Sequence, residues 1–308
     1  MKLKLKRLNN DSMKNKVLMS ELLLVMVTII WGFGFPITKL AVNAGFGPYT
    51  VTFARFSIAS IVIALVYFKK LKLINKKILV YGMITGLFLF SGFYFQTLGA
   101  VFTTPSKNGF ITQLNIIFVP FLYYFFVKVR IDIHNILAVF IALIGLYLLS
   151  FYQAGIETIN RGDFYTFICA ILVAFHVVTS SHFQKKYDFD PGLFVLVSMM
   201  TAMVLSMVLV PFETIPSLQI NNLWPLIFLG LFNTALGFLI QSYTLKISHP
   251  ARVSLIVSLE GLFGALGSVL IINEFLSVNI ILGGLFIVLG ILLTELKPFK
   301  KRVLIKRY

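Results

Sequence analysis

Long apolar runs alternate along this chain with short polar connections, most of them basic, and the runs predict ten membrane-crossing helices. They lie at about 20–38, 49–68, 78–99, 107–127, 133–152, 163–183, 191–211, 223–245, 250–272 and 278–296. Each approaches the roughly 20 residues that a helix rising 1.5 Å per residue needs to span a ~30 Å hydrocarbon core. The connections are too short to house a soluble domain, so the pattern gives one all-α membrane domain. It divides into a basic N-terminal segment (1–19), five spans over 20–152, five more over 163–296, and a basic tail (297–308).

Charge orients this layout. With 58% hydrophobic and only 12% charged residues, the chain lies far from soluble composition. A formal net charge of +16 would suggest nucleic acid in a soluble protein. Here 23 of the 27 basic residues fall on one side of the ten-span layout, leaving Lys39, Lys107 and Arg161 on the other and Arg55 within a span. The asymmetry is the positive-inside signal, which puts both termini in the cytoplasm of a plasma-membrane protein and removes the nucleic-acid reading. The lone Cys169 lies inside a span, which excludes disulfides and thiolate metal clusters, and the 32 Phe residues are read as mainly lipid-facing bulk. Asp188 and Asp190, beside Lys185 and Lys186, read as a solvated charge cluster, and Lys39 at the outer end of the first span as a snorkelling lysine.

The chain also repeats itself. A shift of 145 residues aligns the third to fifth spans with the eighth to tenth without a gap. It superposes Gly92-Phe93 on Gly237-Phe238, Gln96 on Gln241, Pro105 on Pro250, Lys107 on Arg252, Leu114 on Leu259 and Gly145 on Gly290. Five spans per copy is an odd number, so the second copy is inverted, as in many secondary transporters whose substrate site lies near mid-membrane between the repeats. Glu260 falls on Asn115 in this alignment, both near mid-bilayer. A charge there is expensive unless it faces a bundle interior or a watery cavity, and Glu260 has two readings, a functional carboxylate or a structural one hydrogen-bonded between helices.

Other pieces add to this. They are Ile30-Trp31-Gly32-Phe33-Gly34-Phe35-Pro36-Ile37-Thr38-Lys39, Phe53-Ala54-Arg55-Phe56, Gln96-Thr97-Leu98-Gly99, Lys107-Asn108-Gly109-Phe110, and Leu259-Glu260-Gly261-Leu262-Phe263 through Asn273-Glu274. In order and spacing the chain resembles the EamA-domain transporters of the drug/metabolite transporter superfamily, which have ten spans in two five-span repeats. The resemblance implies an exporter or exchanger of a metabolite, amino acid or drug-like solute working by alternating access. It departs from the family at Gly261, where Pro is common, and at Lys128-Val129-Arg130, where the fourth span often ends in an acidic residue.

The candidate site residues are Glu260, Asn115, Trp31, Arg55, Gln96, Gln113, Gln241 and His176. Arg55 either reaches Glu260 as an ion pair that breaks during transport or snorkels outward. Trp31 sits mid-span, away from the interfacial belts, as a cavity aromatic or as packing. His176 is a proton carrier or a hydrogen-bonded core histidine. The four amides bind substrate or clip helices together. The stripe Gly261, Gly264, Ala265, Gly267 and Ser268 serves packing or sliding. No catalytic motif, metal-ligand cluster or cofactor fingerprint occurs, so the expectation is a transporter without cofactor or metal, monomeric or homodimeric. Its partners are a small-molecule substrate, a candidate coupling proton and the bilayer. The alternative, a membrane enzyme acting on an apolar or lipid-linked substrate, would need acidic or His residues clustered at one membrane face.

Reporter fusions or cysteine accessibility should find both termini cytoplasmic and the 220–223 connection external; an external C-terminus would overturn the ten-span layout.

Overall fold

A computed structural model describes residues 2–127, 133–151, 160–213, 216, 220–248 and 250–296. Lys128, Arg130, most of the 152–162 connection and the basic tail lie outside them. Every long element is helical: α1 Lys2–Asn43, α2 Pro48–Val66, α3 Lys76–Phe102, α4 Pro105–Thr112, α5 Asn115–Val127, α6 Ile133–Phe151 and α7 Arg161–Tyr187. The chain continues through α8 Pro191–Leu209, α9 Ile220–Phe228, a π-helical segment Leu229–Leu236, α10 Gly237–Ile247, α11 Pro250–Ser258, α12 Glu260–Ile272 and α13 Val278–Leu296.

Among the described residues, eight helical stretches are long and apolar enough to cross a bilayer, and the shorter apolar stretches of α6 and α13 occupy the two remaining spans. The protein is therefore an all-α, multi-pass membrane protein of two inverted five-helix repeats. The basic residues 2–19 are helical and run directly into the first span as part of α1. The 220–223 connection is likewise helical, as the start of α9.

Packing follows the repeat. α3 runs along α7 and α8, while its counterpart, the α9-to-α10 stretch, runs along α1 and α2. α1 lies on α12, and its counterpart α7 lies on α5. The α2–α8 and α6–α13 contacts map onto themselves, as pairs straddling a pseudo-two-fold axis must.

The interior is not left to aliphatic side chains. Phe46, Phe56 and Phe194 are fully buried, and Tyr81, Phe183, Tyr187, Phe189 and Phe194 stack in one cluster at the α3–α7–α8 end. Phe therefore builds the core as well as the lipid face, where Phe125 and Phe212 are exposed. Asp188 and Asp190 are also more than a solvated cluster. Asp190 caps α8 through the Gly192 and Leu193 amides and pairs with Lys70 at 2.9 Å. Asp188 pairs with Lys246 at 2.8 Å, and that hydrogen bond holds its carboxyl below the usual carboxylate range.

The α6–α13 contact is close enough that a Cβ on Gly145 would come within 2.7 Å of the Gly283 carbonyl oxygen. Gly145→Leu should cost about 1–3 kcal/mol through overpacking and lower the thermal midpoint of the detergent-solubilised protein. An unchanged midpoint would contradict this packing.

Candidate functional site

Three helices lose their regular hydrogen bonding near the middle of the membrane. The fourth span breaks between α4 and α5 and the ninth between α11 and α12, at Leu114 and Leu259, which the 145-residue shift superposes. Across the first break the amides of Leu114, Ile116 and Ile117 retreat to carbonyls three residues back; across the second, those of Leu259 and Leu262 do the same. At the first break the Asn115 side chain donates to the Thr112 carbonyl at 2.8 Å, so a side chain completes what the ladder gives up. Both spans also start on proline, and Thr104 accepts the Lys107 amide as the N-cap of α4.

The third irregularity has no repeat counterpart. In the eighth span the π-helical segment turns Asn233 and Thr234 inward, whereas α3 is regular at the matching positions. Thr234 returns its own hydroxyl to the Leu229 carbonyl at 2.7 Å and accepts Arg55 Nε at 3.1 Å. Arg55 Nη2 donates to Asn233 Oδ1, Asn233 Nδ2 to the Ile30 carbonyl, and Trp31 Nε1 to the Asn233 carbonyl. Gly34 permits this crossing, because a Cβ there would meet Asn233 Nδ2 at 2.2 Å. Gly32 similarly lets α1 approach α12, since a Cβ would lie 2.4 Å from Phe263 Cβ.

These elements enclose one cavity of about 50 Å³. It is lined by Trp31, Arg55, Gln96, Asn115, His176, Gln241 and Glu260, with Phe35, Phe93 and Phe238 among the apolar walls. Seven of the eight candidates from sequence thus share a single space. Gln113 stands behind it, donating to Glu260 at 3.3 Å.

Arg55 does not snorkel: it is 1% exposed and lies over the Phe93 ring, 4.4 Å from its centroid. Nor do its hydrogen bonds go to Glu260; they go to Asn233 and Thr234, while Glu260 is met by Gln113. His176 lines the cavity, with Nδ1 3.4 Å from the Thr85 carbonyl and its ring edge-on against Phe238. The small-residue stripe of α12 packs against α1 and α4, with Gly264 and Gly267 beneath Phe35 and Phe33 and Gly261 beneath Phe110.

Asn233 and Thr234 are the residues that sequence reasoning missed. The scarcity of polar side chains within spans, the criterion that selected Gln96 and Gln241, applied to them equally.

Comparison with known proteins agrees with this architecture. The EamA-like transporter family matches the chain twice, over residues 18–151 and 160–296. An uncharacterized transporter of Archaeoglobus fulgidus is 28% identical over 284 residues, 92% of this chain and 87% of the relative. The uncharacterized transporter YoaV of Bacillus subtilis is 23% identical over 91% of this chain and 98% of its own length. One crystal structure superposes with a TM-score of 0.63 at 18% identity, covering 90% of this chain and 99% of that one, a likeness of fold alone.

Removing the Asn233 amide should leave the Arg55 guanidinium short of a buried acceptor. Asn233→Leu is expected to cost about 1.5–3 kcal/mol, the worth of a hydrogen bond to a charged group, and Gln96→Leu less. Thermal unfolding of both variants in detergent measures this, and equal midpoints would remove Asn233 as the anchor.

Proposed function

Since this chain belongs to the EamA-like transporter family, we propose that it is a secondary transporter of the cytoplasmic membrane that moves a small organic solute by alternating access. The solute class that best fits the cavity is one bearing a positive and a negative group a short distance apart, such as an amino acid. One observation carries this reading: a guanidinium and a carboxylate face the same cavity without pairing. Nη1 of Arg55 and Oε1 of Glu260 have no hydrogen-bond partner among the described residues. In a low-dielectric site each charge gains most from a desolvated counter-charge, and a zwitterion supplies both while keeping the complex neutral. Trp31, Phe93 and Phe238 offer apolar walls to the rest of the solute, and Gln96 and Gln241 uncharged hydrogen-bonding groups.

At about 50 Å³ the cavity has room for only a few waters, so a solute requires the walls to part. That requirement suits a protein whose repeats rock against one another. Family membership argues against the membrane-enzyme alternative. The solute arrives from the cytoplasm if the protein exports, or from either side if it exchanges. Glu260 is the candidate coupling group, because its proton affinity depends on whether an opposite charge lies against it in a given state.

Sealed vesicles containing the purified protein test both levels. A neutral zwitterion should be transported, and its ester and its N-acetyl derivative, each keeping one charge, should be transported poorly. Glu260→Gln removes both the titration and the counter-charge for the solute's positive group, so it should abolish pH-gradient-driven accumulation and also weaken downhill exchange of the zwitterion. Wild-type accumulation in Glu260→Gln would exclude Glu260 as the coupling group, and equal transport of all three solutes would exclude the two-charge site.

A further inference from the structure

The two ends of the cavity are fastened by clusters that the repeat relates. Thr103, just past the end of α3, and Ser248, just past the end of α10, superpose under the 145-residue shift. Each is held from two sides in the same way. The Thr103 hydroxyl donates to Asp163 Oδ1 at 2.6 Å, and the Ser248 hydroxyl to Glu21 Oε1 at 2.7 Å. The Thr103 carbonyl accepts from Lys39 Nζ at 3.3 Å, and the Ser248 carbonyl from Lys185 Nζ at 2.6 Å. Lys39 therefore does not snorkel freely, since it also binds the Ala100 and Val101 carbonyls, completing the C-terminus of α3.

Both carboxylates and both hydroxyls are buried, between 3% and 7% exposed, so these are not surface ion pairs. A hydrogen-bonded contact to the neighbouring half-helix lies beside the first cluster, and an ion pair to the other half-helix belongs to the second. Ser106, at the start of α4, donates its amide and hydroxyl to Glu274, and Arg252, at the start of α11, pairs with Glu21 at 3.3 Å.

What makes the clusters opposed is that α1 and α7 each serve both. α1 gives Glu21 to one and Lys39 to the other, eighteen positions apart, or about 27 Å along a helix. α7 gives Asp163 to one and Lys185 to the other, twenty-two positions or about 33 Å apart. Between these ends the same two helices supply cavity walls, Trp31 and Thr38 from α1, Val173 and His176 from α7. Helices strapped at both ends cannot separate at either, which accords with the cavity's small volume.

We propose that the Thr103–Asp163–Lys39 and Ser248–Glu21–Lys185 clusters are the two latches of an alternating-access cycle, one at each membrane face, and that releasing one while the other holds opens the cavity to one side. The proposal rests on the transport reading. The chemistry suits a latch: a hydroxyl and a carbonyl on one short connection are gripped by a carboxylate and an ammonium from the two helices that must part. Water can replace both partners when the end opens, so neither state leaves a buried charge stranded.

Accessibility of the cavity from each face tests this without any substrate, so failure of the latches is distinguishable from failure of the transport reading, which shows only in solute flux. The probe is a membrane-impermeant methanethiosulfonate reacting with Ser254→Cys in a Cys169→Ala background. Ser254 lines the cavity, and its hydroxyl has no hydrogen-bond partner, so the replacement breaks no tie. Thr103→Val and Asp163→Asn should each raise the labelling rate about tenfold or more from the Thr103 face alone, the equilibrium shift expected from losing a charge-assisted hydrogen bond. Ser248→Ala and Glu21→Gln should do so from the opposite face alone. Two variants per latch cover the case in which one fails to fold, as judged by size-exclusion profile. Labelling that rises from both faces in every variant, or from neither in any, overturns the proposal.

Discussion

A guanidinium in the middle of a membrane protein must be tied down or it will collapse onto the nearest carboxylate, and the arrangement of this cavity depends on how Arg55 is tied. Its Nε and Nη2 are taken by Thr234 and Asn233, and its face lies on Phe93. Those contacts use up the directional capacity of the side chain on one side and leave Nη1 for the cavity. Glu260, held by Gln113, stays a separate acidic side chain in the same space. Had the two closed on each other, the cavity would contain an internal salt bridge and little that a polar solute could improve on.

The anchoring is possible only because the eighth span is irregular. A regular α-helix points its carbonyls along its own axis, and the π-helical segment frees the Asn233 carbonyl for Trp31 and presents the neighbouring side chains to Arg55. Lipid does not tolerate such interruptions, since nothing there satisfies the released backbone groups. Here all three interruptions lie at the cavity; Asn115 takes up the slack at the first, and Thr234 and Trp31 at the π-helical segment. Backbone irregularity and polar chemistry therefore occur together, each making the other affordable.

The repeat is kept at the ends and broken in the middle. Thr103 and Ser248 occupy equivalent positions with equivalent partners. At the cavity, by contrast, Glu260 has Asn115 as its counterpart, and the π-helical segment corresponds to regular α3. Symmetric ends allow two related conformations of similar stability, which a rocking mechanism requires. An asymmetric centre would give the proposed solute one orientation.

The sequence by itself determined the ten apolar spans, the inverted repeat and most of the polar positions that gather at its centre. Such features are legible because membrane insertion acts on local composition: a span is apolar or it is not, and a polar residue within it is conspicuous. The breaks at Leu114 and Leu259 were not legible in this way, since the sequence reads as two unbroken apolar spans there and nothing in either leucine announces an interruption. What only the tertiary structure decided is which polar groups meet. Arg55 had a carboxylate within conceivable reach and took an amide and a hydroxyl instead, because a π-helical segment some 180 residues away in sequence delivered them. Lys39 likewise left the interface for the end of α3. Pairing of this kind depends on helix rotation and on the close approaches that Gly32 and Gly34 permit. Such long-range geometry is fixed only when distant segments pack, and no local pattern of residues encodes it.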